Sequence, residues 1–186
     1  MEAGISVVGL DTNSELRKKI NSGLMPFKEP NYDELIQRRE LKVSSKSEVI
    51  SASRDIIITV GTPLHTHIET DLSQIRTVLE SIASHLRSGQ LVCLRSTVAP
   101  GTTEYVMKWL ERNTSLNIGE DIYLTFCPER IAEGKAYEEL RSLAQIIGSQ
   151  DSFSAARAES LFSKLSPKIF HTAVSYTHLT LPTNAC

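Results

Sequence analysis

Apolar positions along this chain gather in short β-branched runs, separated by stretches in which they recur every three or four residues. The runs are 5–10 (ISVVGL), 55–60 (DIIITV), 91–94 (LVCL), 122–126 (IYLTF) and 145–147 (QII), with 169–171 as a further candidate. They are continuous rather than alternating, as expected of strands covered on both faces in a parallel sheet. The helical period predicts helices over 13–22, 31–38, 72–87, 102–112 and 152–165. In 72–87, Leu72, Ile75, Val78, Leu79, Ile82, Ala83 and Leu86 fall on one face. Asp71 and Gln74 have capping-box spacing, and Gly89 stands where a left-handed residue closes a helix. Leu16 and Ile20 are expected inward in 13–22 with Gly23 as its stop, and Ala158, Leu161, Phe162 and Leu165 inward in 152–165. Strand and helix alternate, which predicts a doubly wound, mostly parallel Rossmann-like α/β sheet with helices on both faces. Such a fold brings the loops after its strands to one rim, where ligands bind.

Composition narrows the function classes. The chain has 186 residues and is 40% hydrophobic, enough for a domain with a sizeable core. Lys+Arg 20 against Asp+Glu 22 leaves a net charge of −2, which argues against a basic nucleic-acid binder. No apolar run approaches the ~20 residues of a membrane span. Three scattered cysteines fit neither a disulfide framework nor a structural zinc site, and suit a reducing cytoplasm.

The rim loops carry the candidate chemistry. Asp11 follows the first run and precedes a helix. An acid at that place can accept hydrogen bonds from an adenosine ribose, or can be simple turn and cap chemistry beside Asn13. No G-x-G occurs among the nine glycines. If Asp11 is the ribose acid, the first strand, the glycine turn that holds the pyrophosphate and the first helix are expected upstream of Met1. The next loop, Val60-Gly61-Thr62-Pro63, offers close backbone approach and a hydroxyl, or is a plain strand-ending turn. Arg95-Ser96-Thr97-Val98-Ala99-Pro100-Gly101-Thr102-Thr103 sets hydroxyls at a helix start that favours anions, or is a helix capped by Thr102. In Cys127-Pro128-Glu129-Arg130-Ile131-Ala132-Glu133-Gly134 two carboxylates flank an arginine. If that segment is helical, Glu129 and Glu133 share a face. They are candidates for general-base or water-orienting work, against a solvated charged turn. His65 and His67 lack a third ligand, so no metal site is expected. Cys93, inside an apolar strand, reads as a packed core residue, Cys127 lacks a neighbouring activating histidine, and Tyr105 with Trp109 reads as packing.

In order and spacing these pieces resemble the UDP-glucose/GDP-mannose dehydrogenase family, in its UDP-N-acetylhexosamine branch. The resemblance runs from Val7 to Thr172. It rests on Asp11, Ile20-Asn21-Ser22-Gly23, Glu29-Pro30, Val60-Gly61-Thr62-Pro63, Asp71-Leu72-Ser73, Arg95-Ser96-Thr97-Val98, Pro100-Gly101-Thr102-Thr103, Cys127-Pro128-Glu129-Arg130, Glu133-Gly134 and Ile146-Ile147-Gly148. It implies oxidation of a UDP-sugar C6 alcohol to a carboxylate with two NAD, through an aldehyde and a cysteine thiohemiacetal. The Cys-Pro-Glu-Arg wording favours an N-acetylhexosamine, UDP-N-acetylmannosamine foremost. By resemblance Asp11 binds the NAD ribose, and Thr62 and Thr97 line the cofactor cleft. Thr97 also positions a catalytic water, and Glu129 acts near C6 as a base or through that water. Arg130, Ile131, Glu133 and Gly134 belong to the loop over the sugar nucleotide, with Glu133 near the nicotinamide.

The family's glycine turn, catalytic lysine and asparagine, nucleophilic cysteine and second nucleotide-binding domain have no counterpart in this sequence. A basic residue that some members carry five positions after the ribose acid is Leu16 here, with Arg17 beside it. Residues 1–172 are therefore read as an incomplete NAD-binding domain missing its first βα unit, and inactive alone. The parent would be a cytoplasmic homodimer serving polysaccharide synthesis, with no nucleic-acid or membrane partner. Residues 173–186 are read as a tail outside the family. Val174 to Thr183 resembles one reading frame of a transposase sequencing adapter, the alternative being a genuine tail. Against this reading stand a non-catalytic nucleotide- or partner-binding α/β module, and a hydroxyacid or hydroxyacyl dehydrogenase.

Overall fold

The computed structural model describes residues 3–38, 41–61 and 72–172. In chain order the elements are β1 (Val8–Leu10), α1 (Ser14–Asn21), α2 (Asp33–Gln37), β2 (Lys42–Ser44), α3 (Val49–Ala52), β3 (Asp55–Ile58), α4 (Ser73–Ile82), β4 (Leu91–Leu94), α5 (Thr102–Asn113), β5 (Tyr123–Phe126), α6 (Ala136–Ser142), β6 (Gln145–Ser149), α7 (Ser152–Phe162) and β7 (Ile169–Thr172). A 3-10 turn, Ala83–His85, continues α4. The fold is the expected mostly parallel α/β sheet with helices on both faces.

The sheet has two parts. β1 and β2 pair in parallel, and β3-β4-β5-β6-β7 form a second, five-stranded sheet. Within the larger sheet every pairing is parallel except β5 with β6.

β4 shows why an unbroken apolar run was needed. All four of its residues are buried. Val92 and Leu94 pack with Ile75, Leu79 and Ile82 of α4 and Val106 and Leu110 of α5. Leu91 and Cys93 face the other way, onto Ala158, Leu161 and Phe162 of α7.

The expectation of two covered faces fails at β1 and β3. Val8 and Leu10 are exposed, and Ile57 is 45% exposed although it pairs with the fully buried Cys93. The cause is the reach of α7, which packs over β4, β5, β6 and β7. Leu16 and Ile20 are likewise only half-buried, α1 packing chiefly on β2 of the two-stranded sheet among the described residues.

Helix ends differ in detail. Asn13, not Asp11, caps α1, accepting from the Glu15 and Leu16 amides. Gly23 and Gly89 take the left-handed conformation expected of them. Asp71 lies outside the described residues, and α4 begins after Leu72 with no side-chain cap. Thr102 does not cap α5. Its hydroxyl donates to the Ala99 carbonyl, and the N-cap position is Gly101 at φ 84°.

Candidate functional site

Asp11 continues the β1–β2 ladder, its amide donating to the Ser44 carbonyl at 3.1 Å. Its Oδ1 accepts the Asn13 amide at 2.7 Å, and Arg17 Nη1 donates to its carbonyl at 2.8 Å. Cap chemistry thus belongs to Asn13, turn chemistry to one oxygen of Asp11. The second oxygen has no hydrogen-bond donor among the described residues. The far end of α1 is tied down by Asn21, whose side chain exchanges two 2.9 Å hydrogen bonds with the backbone of Val43.

The loops after β3, β4 and β5 lie side by side because the ladder runs past the strand ends. The Arg95 amide donates to Ile58, Cys127 to Leu94, and Glu129 back to Arg95, at 2.8–2.9 Å. Ser96 Oγ donates to the Val60 carbonyl at 2.6 Å. Gly61, Thr97 and Glu129 therefore belong to neighbouring loops on one rim. Gly61 is exposed, and among the described residues a Cβ there would meet only the Gln74 amide group, at ordinary contact distance. Thr97 is exposed. Thr62, His65 and His67 lie outside the described residues.

Glu129 is the best-anchored candidate. Arg95, 7% exposed, reaches its Oε2 with Nη2 at 2.5 Å. Glu129 Oε1 accepts the Arg130 and Ile131 amides at 2.7 and 3.1 Å. The rest of the loop is held the same way, by backbone amides on carboxylates. Glu139 takes the Ala132 amide at 2.8 Å, and Glu29 takes those of Gly134 and Ala136 at 3.1 and 3.0 Å. The Arg130 guanidinium donates to the Ala144 carbonyl. The loop is coil where a helix would have put Glu129 and Glu133 on one face, and the two carboxylates have different surroundings. Glu129 is half-buried and bonded. Glu133 is exposed, with no partner among the described residues. Pro128, Glu129, Arg130, Ile131, Leu143 and Gln145 line a shallow depression, and Glu133 is not among its lining residues.

Arg95, Gln145, Glu139 and Glu29 were not expected in this role. A charged residue directly after a fully apolar run was the available signal for Arg95, since a buried guanidinium requires partners. Gln145 and Cys127 supply them, accepting from Arg95 Nη1 at 2.9 and 3.0 Å. The guanidinium also lies 5.0 Å over the Phe162 ring.

Neither Cys93 nor Cys127 is a nucleophile site. Cys93 and Cys127 are both fully buried. The hydrogen bond with Cys93, together with burial, pushes the Cys127 thiol well above its ordinary value, so it stays protonated at neutral pH. No cluster of metal-ligating side chains occurs among the described residues. No described helix is long and apolar enough to cross a membrane.

A sequence model of the UDP-glucose/GDP-mannose dehydrogenase family, NAD binding domain, matches residues 1–166. The chain is 38% identical over 175 residues to the UDP-N-acetyl-D-mannosamine dehydrogenase of Pyrococcus horikoshii, across 91% of this chain and 42% of that protein. It is 33% identical to the UDP-N-acetyl-D-glucosamine 6-dehydrogenase of Salmonella typhi, across 75% of this chain and 33% of that protein. The solved structure of the UDP-D-ManNAc dehydrogenase from Pyrococcus horikoshii superposes with a TM-score of 0.89 at 36% identity, covering 94% of this chain and 43% of that one. A ternary complex of GDP-mannose dehydrogenase from Pseudomonas aeruginosa gives 0.86 at 28% identity, covering 94% and 42%. The chain thus spans less than half the length of these relatives. By the extent of the family match, it belongs to the UDP-glucose/GDP-mannose dehydrogenase family, within the NAD binding domain.

Proposed function

We propose that the chain is the NAD-binding part of an NAD-dependent nucleotide-sugar 6-dehydrogenase that oxidises the C6 alcohol of a UDP-sugar to the carboxylate. UDP-N-acetylmannosamine is the favoured substrate. The carrying observation is the rim itself: the loop holding Glu129 and Glu133 lies beside the loops of Thr97 and Gly61, locked there by a buried arginine. Residues 1–172 form the domain in this reading, and 173–186 lie outside it. A cytoplasmic homodimeric parent and a role in polysaccharide synthesis complete it.

The residues fit NAD in part. Asp11 keeps one carboxylate oxygen for ribose hydroxyls, and the exposed Gly61 leaves the rim open to a flat ligand. The chain contains no G-x-G turn to cradle a pyrophosphate. When bound, NAD supplies the hydride acceptor.

The chain's own groups do the rest. A carboxylate offers about four acceptor positions, and three donors occupy Glu129, leaving one for a water or the substrate hydroxyl. Glu129 is thereby aimed rather than free, suited to orienting a water or taking its proton. Thr97 positions that water, and a cofactor contact is assigned to Thr62 by the family resemblance alone. Arg130, Ile131 and Gly134 shape the loop over the sugar nucleotide, and Glu133, with no partner among the described residues, faces the nicotinamide side.

Titration of the chain with UDP-N-acetylmannosamine, followed by NMR, tests the reading. Binding that weakens in E129Q and exceeds that of UDP-N-acetylglucosamine supports it, and no binding by either sugar overturns it. With NAD added, the isolated chain is expected to form no NADH, because its sequence holds no glycine turn and its described residues hold no activated cysteine. Steady NADH production would overturn that part.

A further inference from the structure

We propose that Glu29 is a positioning residue for the loop after β5, holding its distal half in the shape that presents Glu133. The Glu29 carboxylate accepts the Gly134 amide on Oε2 at 3.1 Å and the Ala136 amide on Oε1 at 3.0 Å. These partners lie 105 and 107 residues away in sequence. A second contact joins the same two segments. The Tyr32 and Tyr137 rings meet edge to face, their centroids 6.3 Å apart.

The geometry brackets Glu133. On one side the Ala132 amide is fixed by Glu139, and on the other the Gly134 amide is fixed by Glu29. Gly134 turns the chain there at φ +80°. Hydrogen bonds to an ionised carboxylate are stronger than neutral ones, and one carboxylate gripping two amides fixes orientation as well as position. Glu29 lies in the connection from α1 to α2, so its grip ties that connection to the loop of Glu133. The inference rests on the proposed function in one respect, that this loop meets the sugar nucleotide. Glu29 touches no ligand and acts through the backbone.

The full chain as wild type, E29A and E29Q is compared by NMR-resolved amide hydrogen exchange and by titration with UDP-N-acetylmannosamine. In E29A the Gly134 and Ala136 amides are expected to exchange roughly tenfold or more faster, the loss of a charge-assisted hydrogen bond, with Val92 and Leu94 unchanged. Affinity for the UDP-sugar falls in parallel. E29Q, which keeps one acceptor oxygen, recovers part of both, a graded rescue that a change in overall stability would not follow. Unchanged exchange at the two amides overturns the inference, as does faster exchange with unaltered sugar affinity. If E29A also loses protection in β4, E29Q decides: selective exposure of the two amides supports the inference and uniform exposure overturns it. A wild-type chain that binds no UDP-sugar overturns the loop's reading and this inference's ligand half with it. The exchange contrast separates that failure from a failure of Glu29 to hold the loop.

Discussion

Arg95, at the end of β4, meets Glu129, beyond β5, in a 2.5 Å ion pair whose two side chains are 8% and 37% exposed. Arginine without Glu129 would be a buried charge with only neutral partners. Glu129 without arginine would be held by two amides alone.

The pair predicts strong coupling. R95M is expected to cost about 2–4 kcal/mol, toward the lower end of what breaking a buried pair costs because Glu129 is partly solvated. E129Q, which keeps an acceptor for the amides, costs about 1 kcal/mol. The double variant falls short of the sum by on the order of 1–2 kcal/mol, as expected for residues in one network. Urea denaturation of the four proteins measures this, and strict additivity would mean the pair contributes nothing.

The two faces of the sheet predict opposite tolerances. Leu79 is fully buried between α4 and the sheet, so L79A should lose about 2–5 kcal/mol. Ile57 is 45% exposed, so I57T should lose about 1 kcal/mol or less and reduce self-association. Thermal melts and sedimentation velocity report the two quantities.

Cys127 predicts an alkaline limb. Its thiol is raised in the folded state, by the Cys93 hydrogen bond and by burial, above its ordinary value of 9.0. Below that value both folded and unfolded chains keep the proton. Above it the unfolded thiol ionises first, and stability falls by up to about 1.4 kcal/mol per pH unit for one thiol. C127A should flatten this slope in denaturant melts at successive alkaline pH values. Iodoacetamide should label the native wild-type thiol far more slowly than the unfolded one.

Gly134 predicts a purely conformational cost. A Cβ there would meet nothing within 4 Å, yet φ is +80°. G134A is expected to destabilise by about 1 kcal/mol, through strain alone, and to speed amide exchange at Ala136. G61A, at a position without positive φ, should be close to neutral.

Legibility followed the range of the interactions. β4 was readable to the residue because burial on both faces leaves a continuous apolar signature. The strand β2 has one buried residue, Val43, and depends on Asn21 and on β1 for its pairing, so nothing within KVS announces it. Helix α6 has no buried residue, and its first amide is taken by Glu29 from far away. The loop of Glu129 was readable as a charged segment after a buried strand. Its shape was not, because the four-residue spacing of its carboxylates left helix and charged turn both open, while the partners of Glu129 are backbone amides and a distant arginine.

The antiparallel turn of β6 has a consequence for how such a site can change. Since β6 runs back against β5, the chain leaves the sheet at Cys127 and rejoins it at Gln145 on the same rim, with no crossover between. Arg95 grips both departure and return, bonding the Cys127 carbonyl and the Gln145 side chain with one nitrogen. The intervening stretch is a closed cassette riveted at its base. Lengthening it carries only the slowly growing entropy of a longer closed loop. The stretch between the rivets can therefore vary in length and sequence while the sheet beneath keeps its register.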